Sequence, residues 1–440
     1  MRVVNGKLAW DRLFRAASYA RSALWIVPFV AIVLVMIVAP VLLALDRHLD
    51  WTLLRLAADG ARALYQTVIT LTLSLIVFTF GSLLVAIQVA GGQLTPRVIA
   101  TTLLRNNVVR YSVGLFVFTL IIATSALNHA DANVDQLVAF AIAILALACM
   151  ATFLFLIDYT ARLLRPVSIV ARLGEEGLAV IESVYPNLTA TGPDVAGAAP
   201  VIKGSLRRVV EHHGRSGIVL AVDIATLVNE ARRTDGLIEF APQVGDFVAT
   251  GEPLFALYGG AAICDDRVLQ GTVALGSERT LEQDPLFAFR ILVDIALKAL
   301  SPAINDPSTA VLAIDQLHRL LRAAGNRRLR GEEIADEAGR RRVILRTPNW
   351  EDFVHIACHE IRMCGAGSAQ IARRMRAMLE DLTVSLPAHR HAALRREMEL
   401  LDRTLPGLYP LPEDLALARV PDPQGLGGSS GTRWWRVRTD

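Results

Sequence analysis

The sequence predicts a membrane α-helical protein with four transmembrane helices, followed by a cytoplasmic α+β portion made of a small β-rich module and a helical domain. Three observations predict it. Apolar residues crowd the first 157 positions while most of the charge follows. Four stretches in that first part are long enough to cross a bilayer and carry no Asp, Glu, Lys, Arg or His. Lysine and arginine then gather on alternate sides of those stretches. The whole chain is 53% hydrophobic and 20% charged, against about 25% charge in an average soluble domain. At 440 residues it is long enough for more than one domain.

A helix rises about 1.5 Å per residue, so a hydrocarbon layer of about 30 Å takes roughly 20 uncharged residues. Residues 23–45, 64–90, 111–128 and 136–157 meet that requirement, with Asp46 and Asp158 closing the first and the last. The 64–90 stretch is longer than needed, which predicts tilt. Eleven basic residues flank one side of the spans: Arg2, Lys7, Arg12, Arg15 and Arg21, then Arg97, Arg105 and Arg110, then Arg162, Arg165 and Arg172. The other side has three, Arg47, Arg55 and Arg62. Positive charge is retained on the cytoplasmic side, so both termini are expected inside. The first apolar run is too long for a signal-peptide core and lacks a small-residue cleavage site, so it reads as a retained helix.

The second span carries Thr67, Thr70, Ser74, Gly81 and Gln88 at spacings of three, four or seven, which places them on one helix face. Two readings stay open: a pore lining in an oligomer, or a surface that packs helices, since small and hydroxylated residues let helices approach closely. The spans hold no Asp, Glu, Lys, Arg or His, which argues against a proton-coupled carrier. Thr95 and Pro96 form an N-cap and first-turn pair. The basic, partly apolar segment from there to Arg110 suits the inner membrane surface.

Beyond the membrane, Pro166 interrupts the helix, a second helix runs to about Ser183, and the Gly/Pro/Ala-rich 191–200 stretch reads as a linker. Residues 217–222 form a strand, Asp223 caps a helix to about Arg233, and 237–240, 247–248 and 254–258 follow as strands. This run resembles the turn-rich repeats of biotinyl and lipoyl carrier domains, which present a modified lysine. The three lysines are Lys7, Lys203 and Lys298, none in the run, so a packing or ligand-contact module is expected instead. Expected boundaries are 1–165 for the membrane domain, 166–200 for the juxtamembrane helix and linker, 201–275 for the β-rich module, 276–410 for the helical domain and 411–440 for a flexible tail. Trp434-Trp435-Arg436 in that tail suits a membrane interface.

Residues 286–300 have helical periodicity with apolar positions on two faces, the mark of a buried helix. Ser301-Pro302 ends it, and Asp306 with Pro307 begins the next, which runs to about Ala323. Asp294, Ser301, Asn305, Asp306 and Thr309 therefore form either a capped corner or a polar cytoplasmic pocket. His355 and His359 lie four apart on one helix beside Cys358 and Cys364. Their order departs from the zinc-protease motif and no second ligand pair follows, so no metal and no cofactor is expected. The four cysteines lack disulfide-scaffold spacing. With 45 basic against 42 acidic residues, bulk charge predicts no nucleic-acid partner.

The second and third spans with Thr95-Pro96-Arg97 between them, Val244-Gly245-Asp246-Phe247-Val248 with Gly251 and Pro253-Leu254, and Arg279-Thr280, Gln283-Asp284 and the run from Val293 to Ala310 resemble a family of bacterial predicted membrane proteins. That family is catalogued as a domain of unknown function, number twenty-two fifty-four. Lys298, Ala303 and Asn106-Asn107 depart from its usual residues. The resemblance implies the architecture and a bacterial inner-membrane location, and it brings no activity.

Two functions fit best. One is an oligomeric channel or pore-like protein with a cytoplasmic sensing or gating domain. The other is a membrane-anchored sensor or scaffold that transports nothing. An enzyme is weakest, because no catalytic constellation is visible. The expected partners are the lipid bilayer and further copies of the chain.

Overall fold

The computed structural model describes residues 10–11, 13–14, 23, 25–49, 56–93, 107–129, 135–163, 165–189, 205–329 and 333–428. The chain divides into two compact units: residues 18–169, and residues 1–17 with 170–440. The interfacial segment expected over residues 94–106, the 191–200 linker and the Trp434-Trp435 motif lie outside the described residues.

The first unit is a bundle of α1 (Ile26–Leu49), α2 (Ala58–Gln93), α3 (Asn107–His129) and α4 (Gln136–Leu163). All four are long and apolar enough to cross a membrane. α2, α3 and α4 extend beyond their expected spans, and α1 starts three residues later and ends four later than expected, because a helix does not stop where its charges begin; Asp59 and Arg162 simply sit in terminal turns. Asn107 to Arg110, expected in the surface segment, form the first turn of α3. That helix is the shortest and the most enclosed, packing on the other three. Gly114 makes one of those approaches possible: a Cβ there would lie 2.7 Å from Val27 Cγ1. Among the described residues, the polar side chains buried in the bundle are Thr72, Thr79, Arg110, Ser112 and Thr119. Thr72 and Thr79 return their hydroxyls to Val68 and Leu75 carbonyls, and Cys149 Sγ lies 3.3 Å from Thr119 Oγ1. At one end of the bundle, Asp46 accepts the Leu137 N–H at 2.6 Å, and the Gln136 amide bonds both N–H and C=O of Leu56. Three helix termini are held together there by side chains that leave no orphaned backbone group at those points.

The second unit holds α5 (Pro166–Val184) from Val170 onward, then β1 (Leu206–Glu211), β2 (Gly217–Val222), α6 (Ile224–Arg233), β3 (Gly236–Phe240), β4 (Phe247–Val248), β5 (Pro253–Gly259), α7 (Asp266–Gln270) and β6 (Val273–Gly276). Next come α8 (Pro285–Ala299), α9 (Pro307–Gly325), β7 (Glu333–Ala335) and β8 (Arg341–Leu345). The chain finishes with α10 (Trp350–Gly365), α11 (Ala369–Ser385), α12 (His391–Thr404) and α13 (Pro412–Ala418). α5 is held to α9 and the turn after it by Glu175–Arg319 and Glu182–Arg327 pairs.

Five strands form one sheet in the order β1-β5-β3-β8-β7, and three form another, β4-β2-β6. Two strands of the larger sheet lie outside residues 201–275. β7 and β8 arise within the expected helical domain, yet β8 pairs in parallel with β3 and completes the larger sheet. A parallel pairing across so many intervening residues has no local pattern to announce it. Arg342 fastens the insertion: it donates to Asp336 at 2.8 Å and to Asp235 at 2.9 Å, both through a nearly buried guanidinium. That bond holds the Asp336 carboxyl below its ordinary range. α8 is buried on both faces, as its periodicity predicts, with Phe289 against Phe353 of α10.

The stretch expected as a tail from residue 411 is described as far as Gly428. α13 occupies Pro412–Ala418, and the chain from Val420 to Gly428 is held by Arg373. This arginine is 1% exposed and donates to the carbonyls of Val420, Gly427 and Gly428. Glycine-rich composition there serves a tight turn around Asp422, which accepts three backbone N–H groups.

Candidate functional site

On α2 the face carrying Thr67, Thr70, Ser74, Gly81 and Gln88 points away from the other three helices, and all five residues are exposed. The hydroxyls of Thr67, Thr70 and Ser74 donate to the carbonyls four residues earlier, at 2.7, 2.9 and 2.8 Å. Nothing lies within 4 Å of a Cβ placed on Gly81. Packing within the chain is done by the opposite face of the helix, with Tyr65, Val68, Thr72, Leu75 and Leu83. The stripe is thus a continuous outward surface.

The corner between α8 and α9 brings together four of its five expected residues. Ser301 Oγ donates to the Lys298 carbonyl and Ser301 O accepts the Asn305 N–H. Asn305 takes the left-handed backbone, φ 49°, which asparagine tolerates better than most residues. Asp306 caps α9, accepting the Thr309 N–H at 3.1 Å and the Thr309 hydroxyl at 2.5 Å. Asp294, one turn back on α8, is taken up by Arg290, which also grips Glu360 of α10 through two bonds of 2.6 and 2.9 Å. The side chains of Asp294, Ser301, Asp306 and Thr309 are engaged in capping and ion pairing.

On α10, the rings of His355 and His359 stack 4.6 Å apart, and Arg362 donates to His359 Nδ1. Among the described residues, no three His, Cys, Asp or Glu side chains are grouped to hold a metal ion. Cys358 is fully buried, and burial pushes its thiol upward, away from the reactive thiolate.

Sequence reasoning missed a third place. The Gln243–Asp246 turn between β3 and β4 meets the segment 279–284 that leads into α8. Gly245 donates to Val219 O at 2.8 Å, and Asp246 closes the turn by accepting Gln243 N–H. From the other side, Gln283 accepts the Val222 N–H at 3.0 Å. Both segments are thereby fixed to β2, and Gly245 sits against Asp284. Its φ is +95°, and a Cβ would come 2.5 Å from Asp284 Oδ2. Asp284 is 5% exposed and caps α8 through the Phe287 N–H at 3.0 Å. Its Oδ2 has no hydrogen-bond partner, and the nearest cation is Arg279 at 3.9 Å. A signal for this junction existed, since Gly245, Arg279 and Asp284 all belong to the residues that carry the family resemblance. Only the fold shows that they touch.

Four apolar helices in one unit and a mixed α/β second unit define a polytopic membrane protein with a large extramembrane portion. The chain belongs to the family described as Predicted membrane protein (DUF2254), whose pattern matches residues 21–381. Uncharacterized proteins of Mycobacterium tuberculosis and Mycobacterium bovis are 25% identical to it over 406 residues, covering 88% of this chain and 77% of each relative. No solved structure matches.

Proposed function

We propose that the protein is an oligomeric channel or pore-like protein of the bacterial inner membrane, with both termini and its second unit in the cytoplasm, where that unit senses or gates. The outward stripe on α2 carries this reading. A line of hydroxyl, glycine and amide groups facing away from its own bundle is suited to a neighbouring copy or to a water-filled axis between copies. The lack of Asp, Glu, Lys, Arg and His in residues 23–45, 64–90, 111–128 and 136–157 disfavours a single-copy carrier. Orientation is supported by charge asymmetry and by one packing contact. Trp10 and Phe14, which precede the first span, pack on Leu220, Ala221 and Ala274, which follow the fourth. Those positions share a compartment only if the number of crossings between them is even.

The non-transporting sensor or scaffold has one observation in its favour. Each stripe hydroxyl is already satisfied by its own helix, so lipid contact costs it little. Reconstitution into planar bilayers separates the two. The channel reading expects conductance, altered in unit size or selectivity by T70V and S74V. Silence across varied salts overturns it in favour of the scaffold, and wild-type conductance in both variants removes the α2 stripe as the pore lining and with it the observation that carries the reading.

A further inference from the structure

Four helices of the second unit begin with an aspartate cap, and comparing those of α6, α8 and α9 isolates one carboxylate. α6 opens with Asp223-Ile224-Ala225-Thr226, and α9 with Asp306-Pro307-Ser308-Thr309. In both, one carboxylate oxygen accepts the threonine N–H and the other accepts the threonine hydroxyl, at 2.6 Å for Asp223 and 2.5 Å for Asp306. α8 opens with Asp284-Pro285-Leu286-Phe287. Phenylalanine at the third helical position supplies the N–H but no hydroxyl, so Oδ2 is left buried and unbonded.

A buried charged oxygen without a donor is costly, and protonation is the usual escape. The atom points at the backbone of Gly245, where the absent side chain leaves the close approach open. We propose that Asp284 is a proton-binding latch, whose protonation tightens the junction between the Gln243–Asp246 turn and the start of α8.

The charges around it set the direction. Burial acts most strongly and pushes the carboxyl up to about 6; the Phe287 N–H, Arg279 and the Leu286 N–H oppose it, and Asp246 adds to it. Arg279, on the segment leading into the helix, and Asp246, on the facing turn, are the charged neighbours; Glu282 lies two residues before the cap. A carboxyl raised in the folded state favours folding fully below the unfolded value, near pH 4, and that contribution disappears as pH climbs through the folded value, near pH 6. Cytoplasmic acidification therefore stabilises this junction. The inference stands apart from conductance, because the latch operates whether or not the membrane unit passes ions.

The test is pH-difference infrared spectroscopy of the full chain in lipid nanodiscs, between about pH 7.5 and about pH 5, on wild type, D284N and D306N. A buried protonated-carboxyl band with a midpoint near 6 is expected in wild type and D306N, and its loss in D284N. Arg279 is partly exposed, so R279Q leaves the core intact and should shift the midpoint upward. Hydrogen exchange over residues 243–246, corrected for intrinsic pH dependence, should slow on acidification in wild type and not in D284N. A wild-type spectrum indistinguishable from D284N, or an unmoved midpoint in R279Q, overturns the proposal.

Discussion

Aspartate at a helix start is satisfied or stranded by the residue three places later, and this chain holds both cases. Threonine completes the caps at Asp223 and Asp306, while Phe287 leaves Asp284 half-bonded. Gly245 belongs to the same small design. A side chain there meets a left-handed backbone and the Asp284 carboxylate together. Gly245→Ala should cost about 2–4 kcal/mol through strain and overpacking, read as a lower denaturation midpoint of the second unit. Since a protonated Asp284 is easier to accommodate than a carboxylate, the loss should be smaller at about pH 5 than at about pH 7.5. An unchanged midpoint would show that the turn relaxes away from α8.

Helices and strands here depend on contacts that their own segments do not contain. β8 finds its partner in β3, and Arg342 secures the hairpin to the Asp235 turn. The glycine-rich stretch after α13 is ordered through a single buried guanidinium. Replacing Arg373 with alanine strands three carbonyls and should destabilise the segment by about 2–4 kcal/mol. Limited proteolysis is the direct measurement: cleavage between residues 420 and 428 should become fast in the variant and stay slow in wild type. On α2, the same helix presents two different polar surfaces. Thr72 and Thr79 are enclosed, and Thr67, Thr70 and Ser74 face out.

For the molecule as a whole, the chief question is which side of the membrane the second unit occupies, and the chain carries its own probe. Cys149, Cys264 and Cys358 are buried, and Cys364 is exposed. In intact spheroplasts a membrane-permeant maleimide should label Cys364, while an impermeant one should label it only after permeabilisation. Rapid labelling by the impermeant reagent in intact cells would reverse the orientation. Cys364→Ser, silent in both cases, confirms the site of reaction.

The membrane architecture was legible in the linear chain because span length and charge exclusion are local, additive properties. Twenty uncharged residues are costly in water wherever they fold. The caps at Asp223 and Asp306 were legible for a similar reason: their partners lie three residues away. Long-range choices were not. Neither the β3–β8 pairing, nor the outward aim of the α2 stripe, nor the meeting of Gly245 with Asp284 leaves a periodic trace. Each depends on which surfaces are buried when distant segments pack, and only the folded chain settles that.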